Sequence, residues 1–204
     1  MQCRHDQRSR HRKRMVETAK QKLGGVDILV NNAGTMYSGR FAVHRRQRDE
    51  ERSSRPSCSA SCAQSALVYP MMKAQKWGRI VNTIGGAGKE PDPYMFGSGM
   101  TNAALLNLTK SLSTEFGEDN VLVNAICPGW VDTNLWRAQR RGAAAGVGRE
   151  VEEEARKLAA QKELAQPNGQ AGGARQRHGV PVLERASYIT GVSLNLDGGR
   201  LKGL

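Results

Sequence analysis

A chain of 204 residues has room for one domain with a substantial core, and its apolar fraction of 38% contains no run near the roughly 20 residues of a membrane helix. The opening MQCRHDQRSRHRKRM lacks the apolar stretch of a secretory signal, and four cysteines do not make a disulfide framework, so a cytoplasmic protein is expected. The net charge of +12 is uneven: residues 1–14 carry +5, residues 40–55 +3 and residues 166–187 +2, which are the stretches with least hydrophobic pattern. Those stretches lack interleaved aromatics, which argues against a nucleic-acid groove.

In chain order, the spacing of Val16, Ala19 and Leu23 predicts a helix stopped at Gly24-Gly25, with a basic disordered tail over 1–14 before it. VDILV (26–30) reads as a short buried strand closed by NNAG. Residues 43–63 show neither helical nor strand periodicity. RIVNT (79–83) is a second strand ending in the turn-forming IGGAG. A helix follows, with an apolar stripe of Ala104, Leu105, Leu108, Leu112 and Phe116 and with Gly117 just past its end. VLVNAI (121–126) is a third strand, ended by Pro128-Gly129. VEEEARKLAAQKEL (151–164) is helical, with acids in its first turn, and residues 166–180 have the character of a linker. GVSLNLDGG alternates apolar and polar residues as a half-buried strand. Strands separated by helices predict a parallel α/β sheet in a domain over 15–204.

Asn31-Asn32-Ala33-Gly34 after one strand, GRIVN as the next, NAALLNLTKSLSTEF, VLVNAICPGWVDT and ITGVSLNLDGG occur in one order and at one spacing. Together they resemble the short-chain dehydrogenase/reductase family of Rossmann-fold, NAD(P)-dependent oxidoreductases. The resemblance covers about residues 15–42, 66–140 and 186–200 and implies a Rossmann-like parallel sheet with flanking helices, incomplete in its N-terminal half. It further implies an NAD or NADP cofactor, a small alcohol or ketone substrate and a homo-oligomer. Asn32, Ala33 and Gly34 would pass beside the adenosine ribose. Pro128 and Gly129 would turn the chain at the sheet's carboxyl edge, where the Val131 backbone and the Thr133 hydroxyl would hold the nicotinamide carboxamide.

Three departures bear on function. The glycine fingerprint that opens the family's fold is not found before Val26. Residues 43–63 and 166–185 keep the family's spacing without its helical pattern, as a locally shifted reading frame or a disordered insertion would leave them. The family's chemistry uses a tyrosine with a lysine four residues later, on one helix face, and an upstream serine. Here Ser98 stands at the tyrosine position, Asn102 at the lysine position and Gly85 about where the serine belongs.

Ser98, Asn102 and Tyr94 are therefore positional candidates for catalysis. Ser98 also suits a helix cap, Asn102 a bond to backbone or to a ribose hydroxyl, and Tyr94 a packing position approached by Lys89. Cys58, Cys62 and His44 lack a second ligand pair at metal spacing, so no metal is expected. Three readings result: an impaired NAD(P)-dependent dehydrogenase/reductase, a non-catalytic Rossmann-like remnant that binds a nucleotide or partner, and a nucleic-acid binder acting through the basic segments.

Overall fold

A computed structural model describes residues 2–34, 50–93, 95–129 and 184–202. It contains helix α1 (Gln2–Leu23), strand β1 (Ile28–Asn31), helix α2 (Glu50–Ala74), strand β2 (Gly78–Thr83), helix α3 (Phe96–Phe116), strand β3 (Val121–Pro128) and strand β4 (Ser193–Leu196). The four strands form one parallel sheet in the order β1-β2-β3-β4. The parallel α/β architecture expected from the alternation of elements is present. The helix expected over 151–164 and the linker over 166–180 lie outside the described residues.

Each strand takes its place from β-branched and aliphatic residues. Every residue of β2 up to Asn82, and of β3 up to Cys127, is buried, as befits strands covered on both faces. Ile80, Val121 and Val123 join Val68 and Met72 of α2, Phe116 of α3 and Val16 of α1 in one cluster. Farther along, Ile84, Leu105, Ala125 and Cys127 form a second. Gly78 is demanded by packing, since a Cβ there would sit 2.6 Å from the Met72 side chain. β4 differs from its expected alternation: all four of its residues are half-buried. β1 is an edge among the described residues, and Ile28 and Val30 are 43% and 48% exposed there.

The helices depart further from the sequence reading. The irregular tail expected over 1–14 is instead helical from Gln2. Arg, Lys and Gln are good helix formers, and propagation from the turn anchored by buried Val16 needs no new nucleus. Gly24, at φ +84°, ends α1 as expected, its N–H bonding the Lys20 carbonyl at 2.9 Å.

The segment expected to be irregular over 43–63 is likewise helical from Glu50. The buried positions of α2 are Ser61, Ser65, Val68 and Met72, a true helical stripe whose first half is serine and so invisible as an apolar pattern. On α3 the stripe is rotated from expectation. Gly97, Ser98, Thr101, Leu105, Thr109, Ser113 and Phe116 are buried, whereas Ala104 is exposed. Gly117 is not a left-handed terminator either. Its φ is −59°, the chain tightens into a 3-10 turn over Gly117–Asp119, and Asn120 takes the left-handed conformation at φ 56°.

Candidate functional site

Because α3 runs back along β2, successive residues of the strand meet successively earlier turns of the helix. Asn82 donates from Nδ2 to Thr109 Oγ1 at 2.9 Å, and Thr109 donates on to the Leu105 carbonyl at 2.8 Å. On the other side Asn31 Nδ2 donates to Asn82 Oδ1 at 2.9 Å, so one buried asparagine ties β1, β2 and α3 together. Ile84 packs in a cluster with Leu105. The chain then turns over Gly86–Gly88, and the turn lies against α3: a Cβ at Gly88 would fall 2.7 Å from the Asn102 backbone.

At this turn the structure brings together the three positions singled out by spacing. Asn102 Oδ1 accepts the Gly85 N–H at 2.8 Å, and Asn102 Nδ2 donates to the Ser98 carbonyl at 2.8 Å. Of the two partners expected for Asn102, backbone is the one observed. Ser98 is not a cap: Met95 precedes the first turn of α3, and Ser98 lies buried within it. Tyr94, Trp130, Val131 and Thr133 lie outside the described residues, so the catalytic alternative at Tyr94 and two of the cofactor contacts have no geometry here.

Lys89, raised as a neighbour for Tyr94, is directed to β4. Its ammonium donates to the Ser193 carbonyl at 2.9 Å and to Asn195 Oδ1 at 2.6 Å, pinning the turn from its far side. Nearby, Cys127 Sγ lies 3.1 Å from Ser193 Oγ, and burial pushes the thiol pKa up despite that bond and the Lys89 charge. Cys127 is thus a small buried residue. At the end of β4, Asp197 accepts the N–H groups of Gly199 (3.0 Å) and Leu201 (2.8 Å), and Glu90 accepts the N–H of Lys202. Burial lowers the Arg200 pKa, opposed by Asp92, Asp197 and Glu90.

Sequence reasoning missed Asn82 and the partners of Lys89. A signal for Asn82 was present: an asparagine inside the otherwise apolar run of a buried strand needs partners for both ends of its amide. Lys89 carried none, because its partners lie 104 and 106 residues away.

The residues at the carboxyl ends of the strands suit a flat ligand laid across the sheet edge. Asn32, Ala33 and Gly34 are exposed at the end of β1, with Gly85 and Gly86 at the end of β2. Gly129 closes the end of β3, donating to the Leu196 carbonyl at 3.1 Å, and a Cβ there would fall 2.7 Å from Asp197 Cα. Small residues over three adjacent strand ends leave room for close approach to backbone. This chemistry is compatible with the NAD(P) cofactor of a nucleotide-binding sheet.

A parallel sheet with helices between its strands and a small-residue carboxyl edge defines an α/β nucleotide-binding class of protein. Within it, the short chain dehydrogenase family model matches residues 4–144, and the chain belongs to that family. It is 33% identical over 187 residues to oxidoreductase UcpA of Escherichia coli (strain K12), covering 90% of this chain and 68% of that protein. Over 188 residues it is 31% identical to D-beta-hydroxybutyrate dehydrogenase of Cupriavidus necator, covering 91% and 71%. Among solved structures it is similar to that of YwfH, an NADPH dependent reductase involved in bacilysin biosynthesis, with a TM-score of 0.81 and 26% identity over 95% of this chain and 74% of that one. The family is one of NAD(P)-dependent oxidoreductases.

Proposed function

We propose that this chain binds NAD or NADP at the carboxyl edge of its sheet, and that its oxidoreductase chemistry on a small alcohol or ketone is impaired at proton transfer. The observation that carries this is Asn102: both ends of its amide are bonded to backbone at 2.8 Å, inside a family whose chemistry places a charged lysine there. Bound nicotinamide would supply or accept the hydride. Asn32, Ala33 and Gly34 would line the ribose, Pro128 and Gly129 would turn the chain at the sheet's carboxyl edge, and the Val131 backbone and Thr133 hydroxyl would hold the carboxamide.

What remains for the chain is the proton. An aliphatic hydroxyl is a far weaker acid than a phenol, whose ordinary pKa is about 10. Ser98 is moreover buried in the helix, and Asn102 brings no charge to lower its pKa. A positioned general acid typically contributes about 10²–10⁴-fold to rate, and that factor is forfeited. The exposed apolar residues of β1, Ile28 and Val30, support self-association. No described helix is long and apolar enough to cross a membrane, and the free thiols of Cys58, Cys62 and Cys127 support a reducing cytoplasmic setting.

Calorimetric titration with NADH and NADPH tests the binding half. Saturable binding of one of them is expected, and none with either would reject the reading. Steady-state reduction of a panel of small ketones tests the other half. Rates about 10²-fold or more below those of a tyrosine–lysine reductase are expected, and equal rates would overturn the impairment.

A further inference from the structure

The three departures from the family's serine, tyrosine and lysine pattern meet in one hydrogen-bonded unit. Gly85 has φ −73° and ψ 145°, an extended backbone open to any residue, so its conformation does not require glycine. Its surroundings favour it. A Cβ built there would lie 3.0 Å from Asn102 Nδ2 and 3.5 Å from Asn102 Cγ, against a side chain held at both ends. The amide cannot turn over, because Gly85 offers only a donor and Ser98 only an acceptor.

We propose that Asn102 is the positioning residue of this turn: it fixes the Gly85 peptide against the first turns of α3 and thereby favours glycine at position 85. Gly85, Ser98 and Asn102 are then interdependent, not three separate losses. The inference concerns how the turn is held and stands whether or not the chain turns over a substrate. The neighbouring constraints belong to the same arrangement. Gly88 and Gly99 admit close approach between the turn and α3, a Cβ at Gly99 meeting the Ala87 carbonyl at 3.1 Å. Lys89 ties the end of the turn to β4. The Asn102 amide reaches its beginning from α3.

Two measurements on the full chain test this. The first is a cycle of thermal midpoints for Gly85→Ala, Asn102→Ala and the double variant. Gly85→Ala is expected to lower Tm in the native background and to lower it little further once Asn102 is alanine, because the opposing amide is gone. Strict additivity would overturn the proposal. The second is amide hydrogen exchange at Gly85. Asn102→Ala should speed it about tenfold or more while Ile84, whose N–H bonds the Ile126 carbonyl at 2.9 Å, keeps its protection. Unchanged Gly85 exchange in that variant would overturn the proposal. Should Asn102→Ala fail to fold, the native chain decides: the Gly85 N–H should exchange about tenfold or more slower than an unprotected amide, and exchange at the unprotected rate would overturn the proposal.

Discussion

Replacing Asn82 with alanine should cost the sheet several kcal/mol of stability. The side chain is 1% exposed and carries two bonds, accepting from Asn31 and donating to Thr109, both 2.9 Å long. Losing two such bonds costs about 1 kcal/mol each in net terms, and the Asn31 amide left buried without an acceptor adds roughly another 1–3 kcal/mol. Thr109 escapes the second penalty because its hydroxyl still donates to the Leu105 carbonyl. The total is about 3–5 kcal/mol, or roughly 6–20 °C in Tm for a domain of this size. Asn31→Ala is the internal control. Asn31 Oδ1 is already buried without a partner, so removing that side chain removes one orphan while creating another on Asn82, and the net loss should be smaller. Urea midpoints of the two variants at constant m-value give the comparison. A loss below about 1 kcal/mol for Asn82→Ala, or the reverse order of the two variants, would refute the reasoning.

Two further outcomes follow from charged groups. Lys76 at 2.5 Å, the Tyr69 hydroxyl at 2.6 Å and Lys73 at 3.0 Å all meet the Asp119 carboxylate and hold its pKa well below the usual range. A depressed folded pKa contributes stability that is present above the unfolded value of about 3.9 and is lost as pH falls below it. Tm should therefore decline on the acid side from about pH 4 downward, and Asp119→Asn should flatten that decline while lowering Tm at pH 7; an unchanged acid limb would contradict the assignment. Arg79 is 2% exposed, bonds the Gly78 carbonyl at 2.8 Å and the Asn120 carbonyl at 3.3 Å, stacks 4.4 Å from the Trp77 ring, and leaves Nε without a partner. Burial lowers its pKa, the mark of an incompletely compensated charge. Since apolar replacement of buried charge is often neutral or stabilising, Arg79→Met should hold Tm or raise it, and a drop worth more than about 2 kcal/mol would show the charge to be well compensated.

The strands were legible because β-branched runs broken by turn residues mark a strand, although VDILV, expected to be buried, is instead β1 with Ile28 and Val30 exposed. Their limits moved by only a residue or two: RIVNT became Gly78–Thr83, and VLVNAI extended to Pro128. The helices were harder to read for a definite reason. α2 buries Ser61 and Ser65, and α3 buries Gly97, Ser98, Thr101, Thr109 and Ser113. Small residues on a buried face leave no hydrophobic period to detect, and the larger leucines at 108 and 112 drew the expected stripe one position too far round the helix. The Arg-rich start of α1 shows the converse, since charge marks exposure and says little against helicity.

At the site, sequence spacing did bring Gly85, Ser98 and Asn102 to one place, because residues four apart share a helix face and the turn after β2 is short. What spacing could not supply was which way the amide points. That direction matters for the chemistry and for the fold in opposite senses. A lysine at position 102 would offer only donors and could not accept the Gly85 N–H, so the turn would need another acceptor. Asparagine supplies the acceptor and loses the charge. Further down the same helix–strand seam, Asn82–Thr109 and the Ile84–Leu105 cluster hold β2 against α3 without involving the three substituted positions. The seam can therefore persist whatever stands at its last rung, which is why the family's fold remains legible in this chain although Ser98 and Asn102 stand where its tyrosine and lysine are expected.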